Sequence, residues 1–287
     1  MARRKPPSTH GLAVVDKPAG VTSHDVVGML RRRFEERQVG HAGTLDPDAT
    51  GVLLVGVGKA TRLLRFLTAL GKTYTGEVVL GTSTSTLDSA GEVTGSFDMS
   101  AVTPDMARRA AAEHLTGAIL QIPPMVSAVR VDGKRLHELA RAGIEVERQP
   151  RPVTVYAFDV AGTDDPSVLR VEVRCSAGTY IRTLADDLGR LLGGGAHLRN
   201  LRRTAVGSFG VDEARPPDEC VLMSPLQALR DYARVDIDEP TAEMVRHGRI
   251  LDRFAGDGPW AVVDPSGSLL AVYEPYGAEA KPAVVIA

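Results

Sequence analysis

Apolar and polar positions along the first eighty residues follow two different periods. His10 to Val15 is a short apolar run closed by Asp16-Lys17-Pro18-Ala19-Gly20. That is the pattern of a strand running into a Pro/Gly turn. Thr22-Ser23 then offers a helix cap, and Val26, Val27, Leu30 and Phe34 recur at helical spacing, predicting a helix to about Arg37. Residues 38–51 are rich in Gly, Thr, Asp and Pro and predict a loop. Gly51 to Val57 reads as a buried strand. Ala60 to Leu70 reads as a helix with Leu63, Leu64 and Leu67 inward. Lys72 to Leu80 alternates as a strand does, and 82–95 is polar and loop-like.

Further on, Thr103-Pro104-Asp105 supplies a cap, a proline at the first helical position and an acidic first turn. Gly117 ends that helix. Residues 122–152 open with Ile122-Pro123-Pro124 and close at Pro152, which predicts an inserted arm holding a short helix at about 134–142. Val153 to Val160 and Val168 to Cys175 read as strands. Tyr180 to Leu192 is an amphipathic helix with Ile181, Leu184, Leu188 and Leu191 on one stripe, stopped by Gly193-Gly194-Gly195. From about residue 211 Asp, Glu and Pro dominate, and a small β-rich module follows. Its clearest feature is a hairpin over Trp260 to Tyr273 around Asp264-Pro265-Ser266-Gly267. Sheet and helix without regular βαβ alternation predict an α+β fold.

Composition narrows this picture. A chain of 287 residues fits one large and one small domain, or two medium ones. Hydrophobic residues at 43% and charged residues at 24% describe a soluble chain that buries a core without disulfides. Cys175 and Cys220 form no C-x-x-C pair and the seven histidines are scattered, so no metal site is expected. No apolar run approaches the roughly 18 residues of a membrane span. The basic N-terminus lacks a following apolar stretch and reads as a frayed tail of a cytoplasmic protein. The net charge of −2 hides an asymmetry. Residues 211–287 carry 7 Lys/Arg against 14 Asp/Glu, leaving 27 against 22 in the preceding 210. The long segment is basic and the tail acidic, which keeps a polyanion partner open. The run Arg31, Arg32, Arg33, Glu35, Glu36 reads first as a solvated helix face and second as a nucleic-acid contact.

The loop at 40–51 is the best candidate for chemistry, holding His41, Thr44, Asp46, Asp48 and Thr50 among three glycines. Asp-Pro is also a common turn signal, so these residues alone leave catalysis and turn-building both open. Gly40-His41-Ala42-Gly43-Thr44-Leu45-Asp46-Pro47-Asp48-Ala49-Thr50-Gly51 resembles the signature of the TruB family, the tRNA pseudouridine-55 synthases. Four further segments resemble that family in the same order. They are Leu12 to Gly20, Lys72-Thr73-Tyr74, Pro123 to Ala128 with Gly133-Lys134, and Cys175 to Arg182. Five ordered segments are far more specific than one, and together they span about residues 10–210.

The resemblance implies a mixed, largely antiparallel central sheet flanked by helices. It implies a catalytic domain over 8–225 with a thumb-like insertion at about 124–152, and a small PUA-like domain over 231–287. It implies an isomerase that flips a T-loop uridine out of tRNA, breaks its glycosidic bond and rejoins the base through carbon, with no cofactor. Asp46 is carried over as the catalytic carboxylate and Arg182 as its partner. Tyr74 is carried over as the stacking aromatic, Tyr180 and Leu201 as pocket walls, and His41 as the residue filling the vacated space. Lys17, in the opening segment, is carried over to substrate binding. The arginines of Leu198 to Arg203, and Arg130, Lys134, Arg135, Arg141, Arg148 and Arg151 of the arm, suit phosphate. A monomer acting without guide RNA is expected. The alternatives are a guide-dependent catalytic subunit, which the short tail argues against, and a non-catalytic tRNA-folding module, which the full Asp46, Tyr74 and Arg182 set argues against.

Overall fold

The computed structural model describes residues 8–127, 130–131, 134–135, 144 and 146–286. The chain forms two compact units, Met1–Leu70 with Ala205–Ala287, and Gly71–Thr204. Neighbouring strands pair mainly antiparallel, with helices on the sheets, so the fold is α+β. Among the described residues no helix is long and apolar enough to cross a membrane.

In the first unit, Gly11–Lys17 runs antiparallel to Thr50–Val57, with Lys17 opposite Gly51. Val39–Ala42 pairs with the same strand, His41 opposite Val55. The loop predicted over 38–51 is therefore confined to about 43–49. Glycines hid a short strand that is set by its pairing with the next strand rather than by its own pattern. Helix Ser23–Arg33 starts at Thr22, whose hydroxyl accepts from the Asp25 amide while the Asp25 carboxylate accepts from the Thr22 amide. Such a capping box contributes about 1 kcal/mol. The helix ends before the expected Arg37, and Glu35 turns the chain with φ 50°. Val26, Val27 and Leu30 bury against Val15, Leu53 and Val55. The helix expected over 60–70 is a 3-10 turn, Gly58–Leu63, followed by the short α-helix Leu64–Ala69.

The tail contributes five strands in the spatial order Ala233–Asp236, Trp260–Val263, Leu269–Tyr276, Glu279–Val285, Leu251–Asp252. The expected hairpin is there, Trp260 opposite Tyr273. Helix Glu239–Arg246, which the sequence reading did not single out, packs Ala242 and Val245 against Trp260 and Tyr273. The acidic stretch that follows residue 211 does not stand apart. Met223 bridges to Leu12 and Arg215 to Val15, and Ala214, Ala228 and Leu229 share a core with Leu12, Leu54, Leu63 and Val272.

In the second unit the strands lie in the order Ala196–Val206, Lys72–Leu80, Val168–Cys175, Arg151–Gly162, Gly117–Gln121. The burial of Lys72–Leu80 alternates residue by residue, as its sequence predicts. Helix Pro104–His114 is capped by the Thr103 hydroxyl and packs on Arg151–Gly162. Helix Ile181–Leu191 buries Ile181, Leu184 and Leu188. In the arm, Arg130–Val131 pairs with Lys134–Arg135, so no helix begins at Lys134. The rest of the helix expected to 142 lies outside the described residues.

Candidate active site

Asp46 stands in the loop between strands Val39–Ala42 and Thr50–Val57. Gly43 leaves the first strand with φ 80°, a conformation that costs other L-residues roughly 1–2 kcal/mol. From there the loop is held through its main chain. Ser23 Oγ donates to the Leu45 carbonyl at 3.0 Å and accepts from the Leu45 amide at 2.9 Å. The Pro47 carbonyl accepts from the Gly20 amide at 3.0 Å and from Lys17 Nζ at 2.8 Å. The Ala49 amide closes a turn onto the Asp46 carbonyl at 3.2 Å. Both neighbours of Asp46 are thus fixed by backbone bonds, and its half-buried side chain stands on a stiff support.

Lys17 differs from the substrate-binding role the resemblance implies. It is 0% exposed, and its ammonium lies 2.9, 2.7 and 2.8 Å from the carbonyl oxygens of Pro18, Val21 and Pro47. A buried ammonium is costly unless its hydrogens are met, and these three oxygens meet them. The geometry makes Lys17 a positioning residue for the Asp46 loop. His41 is half-buried on the strand leading into that loop, not within the loop itself.

The other carried-over residues lie in the second unit. Tyr74 is buried on strand Lys72–Leu80 opposite Val173. Lys72, two residues earlier and so on the same face, is opposite Cys175. Burial, helped by the positive charge of Arg203, lowers the Lys72 pKa to about 8. Burial raises the Cys175 thiol to about 11. Arg182 is buried in the first turn of helix Ile181–Leu191. It donates to the carbonyls of Thr86 and Val126, both at 2.8 Å, and lies 3.5 Å from the Asp88 carboxylate. Asp88 is held by the Thr86 hydroxyl at 2.5 Å and the Ala90 amide at 3.1 Å. Tyr180 caps the same helix, and its main chain is gripped by the Gln121 side chain. Gln121 Nε2 donates to the Tyr180 carbonyl at 3.0 Å, and Gln121 Oε1 accepts from the Tyr180 amide at 2.7 Å. Leu201 passes over Gly76, its Cα 3.8 Å from where a methyl there would stand.

Of the arginines expected at phosphate in Leu198 to Arg203, Arg199 pairs with Glu77 at 2.6 Å and Arg203 is 1% exposed. Burial therefore removes Arg203 from that role. Arg148 of the arm donates to the Pro123 carbonyl at 3.0 Å. The sequence reading missed Ser23, Asp88 and Gln121 as organising side chains. Ser23 was visible only as part of a helix start and Asp88 as one polar residue in a polar stretch. Gln121 carried no signal beyond standing before Ile122-Pro123-Pro124.

The first unit thus carries a half-buried carboxylate on a braced loop, and the second carries a buried aromatic on a strand and a buried guanidinium at a helix start. The comparisons place the chain among the pseudouridine synthases, isomerases that turn uridine into its carbon-linked isomer. The model of the TruB family pseudouridylate synthase N-terminal domain matches residues 31–181. Models of the tRNA pseudouridylate synthase B C-terminal domain and of the tRNA pseudouridine synthase II C-terminus match 182–247 and 232–287. A Corynebacterium aurimucosum protein named tRNA pseudouridine synthase B is 48% identical over 277 residues, 93% of either chain. One of the same name from Rhodococcus jostii is 46% identical over 300 residues, covering 99% of this chain and 97% of its own. A solved structure described as a Cbf5-Nop10-Gar1 complex matches with a TM-score of 0.74 at 26% identity, covering 96% of this chain and 85% of that one. The chain belongs to the TruB family of pseudouridylate synthases.

Proposed function

We propose that this protein isomerises uridine 55 in the T-loop of tRNA, alone and without guide RNA or cofactor, as a cytoplasmic monomer. Residues 8–225 act as the catalytic part and 231–287 as an accessory PUA-like module. The observation that carries the chemical reading is the Asp46 loop. Its main chain is bonded through Leu45, Asp46 and Pro47, so the carboxylate is positioned before any substrate arrives. The tRNA substrate is supported by the shared name of relatives 46–48% identical over nearly the whole chain.

In this reading the target base leaves its stack at a cost of a few kcal/mol, and His41 fills the space it vacates. Tyr74 stacks on the base, and Tyr180 and Leu201 wall the pocket. Arg182 serves Asp46 as counter-charge, keeping the carboxylate ionised. The N1–C1′ bond breaks, the uracil turns, and a C5–C1′ bond forms. The proton lost from C5 is balanced by one gained at N1, so no oxidant or second substrate enters. Attack of Asp46 on the sugar carbon, attack on the base and a glycal-forming step all need one carboxylate beside both sugar and base.

The test is direct. Purified protein and an unmodified tRNA transcript, with nothing else but buffer, should yield one pseudouridine, at position 55. Conversion at another position contradicts the T-loop assignment, and no conversion while the transcript is bound contradicts the activity.

A further inference from the structure

At the far end of helix Ser23–Arg33 lies a group of cations that the chemistry above does not use. Arg31, Arg32 and Arg37 are exposed, and with Glu35 and Glu36 they line an open concavity of about 320 Å³. Among the described residues none of these three arginines forms an ion pair with a carboxylate. The nearest acid is engaged elsewhere. Glu36 is buried, and its carboxylate accepts from the Ser8 amide at 3.2 Å and the Gln38 amide at 3.0 Å. Those bonds, that of Gln38 first, hold its pKa below the usual carboxylate range. Glu35 is the one exposed carboxylate among the three guanidiniums.

A fourth cation, Lys59, stands on a turn bonded to the residue after Arg37. The Gln38 carbonyl accepts from the Gly58 amide at 2.7 Å, and the Gln38 side chain donates to the Thr61 hydroxyl at 2.7 Å. This joins the corner after Arg37 to the turn that bears Lys59. Arg31 also donates to the Val39 carbonyl at 3.3 Å, while Arg33 donates to the carbonyls of both Asp218 and Cys220 and braces the fold.

We propose that Arg31, Arg32, Arg37 and Lys59 form a second contact face for the RNA substrate, one that binds backbone phosphates and reads no base. The chemistry is that of a polyanion. The guanidiniums are unpaired by acid, they flank a concavity, and they sit in the basic portion of a chain whose net charge is negative. The face is also placed relative to the reaction. Ser23 bonds to Leu45 beside Asp46, and a helix rises 1.5 Å per residue, so Arg32 lies about 14 Å along the helix from that anchor. The face would thus grip the stem while the loop nucleotide reaches Asp46. This inference rests on the tRNA reading above.

The test is equilibrium binding of an unmodified tRNA transcript between 50 and 200 mM salt. Each phosphate contact contributes roughly 0.7–0.9 to the slope of log K against log salt. The triple variant Arg31→Gln, Arg32→Gln, Arg37→Gln should lower that slope by about two to three and weaken low-salt binding at least about tenfold. Lys59→Gln alone should lower it by about one. Arg234→Gln, in the acidic tail and paired with Asp236, should leave it unchanged. A triple variant with the wild-type slope overturns the face and points to another partner for these arginines. So does an Arg234→Gln shift equal to the triple's, which would mean a diffuse field. If the unaltered protein binds no tRNA, the substrate assignment fails as well. An unchanged slope in a protein that still converts tRNA removes this face alone.

Discussion

Lys17 and Arg182 are both buried cations at the end of a regular element, one in each unit, and their partners differ. Lys17 gathers three carbonyls, Pro18 and Val21 just after it and Pro47 across from it, and so fixes the main chain on which Asp46 stands. Arg182 reaches segments distant in sequence, the carbonyls of Thr86 and Val126 and the carboxylate of Asp88. The first cation sets the shape of a loop. The second ties the base of the arm to a helix start and brings a charge as well as bonds. A lysine enclosed by carbonyls is a support. An arginine that adds a carboxylate to its carbonyls has both a structural and an electrostatic role.

Substitutions separate the two cases. Lys17→Met takes the ammonium from the oxygens of Pro18 and Val21 and leaves Pro47 only its bond from the Gly20 amide, at roughly 1–3 kcal/mol for each oxygen left unmet. A stability loss of about 3–5 kcal/mol is expected in urea unfolding, with activity falling along with the folded fraction. A loss under about 1 kcal/mol breaks the view of Lys17 as the loop's support. Arg182→Lys keeps a charge and loses the forked geometry. It should lower turnover about a hundredfold while stability falls by only about 2 kcal/mol. If turnover falls no further than the folded fraction does, Arg182 is a support of the Lys17 kind.

The smallest effect concerns the helix that carries Arg182. Burial first, and the neighbouring charge of Asp186 second, raise the Asp187 carboxyl to about 6. The folded protein then holds this proton more tightly than the unfolded chain. The stability it contributes is complete below about pH 4 and is lost as pH rises through about 6. Screening of this partly exposed group leaves about 1 kcal/mol. Asp187→Asn should therefore raise Tm by about 2–4 °C at pH 7 and leave it unchanged at pH 4. An equal shift at both pH values contradicts the assignment of the effect to ionisation.

Much of the fold was legible because its signals are local. Thr22-Ser23 and Thr103-Pro104 mark helix starts, Lys72 to Leu80 alternates, and Trp260 to Tyr273 brackets a turn. What stayed hidden depends on partners outside each segment. Val39–Ala42 is a strand because Leu54 to Val57 pair with it, and glycines at 40 and 43 masked it. The stretch after residue 211 reads as a boundary by composition, yet Arg215 and Met223 return to the first strand. The candidate site was legible through its motifs, which name side chains but not their surroundings. The three-dimensional structure turns Lys17 into the loop, encloses Arg203 and sets Gln121 around the Tyr180 main chain.

The central claim is that the carboxylate of Asp46, held by a rigid main chain, performs the isomerisation. Its most direct test compares wild type and Asp46→Asn on the same unmodified tRNA, measuring binding and pseudouridine formed per enzyme. The account predicts tRNA affinity within about twofold and turnover lower by at least about 10³-fold, the scale of losing one directly participating group. An Asp46→Asn protein that binds tRNA and forms pseudouridine at a rate comparable to wild type would contradict it.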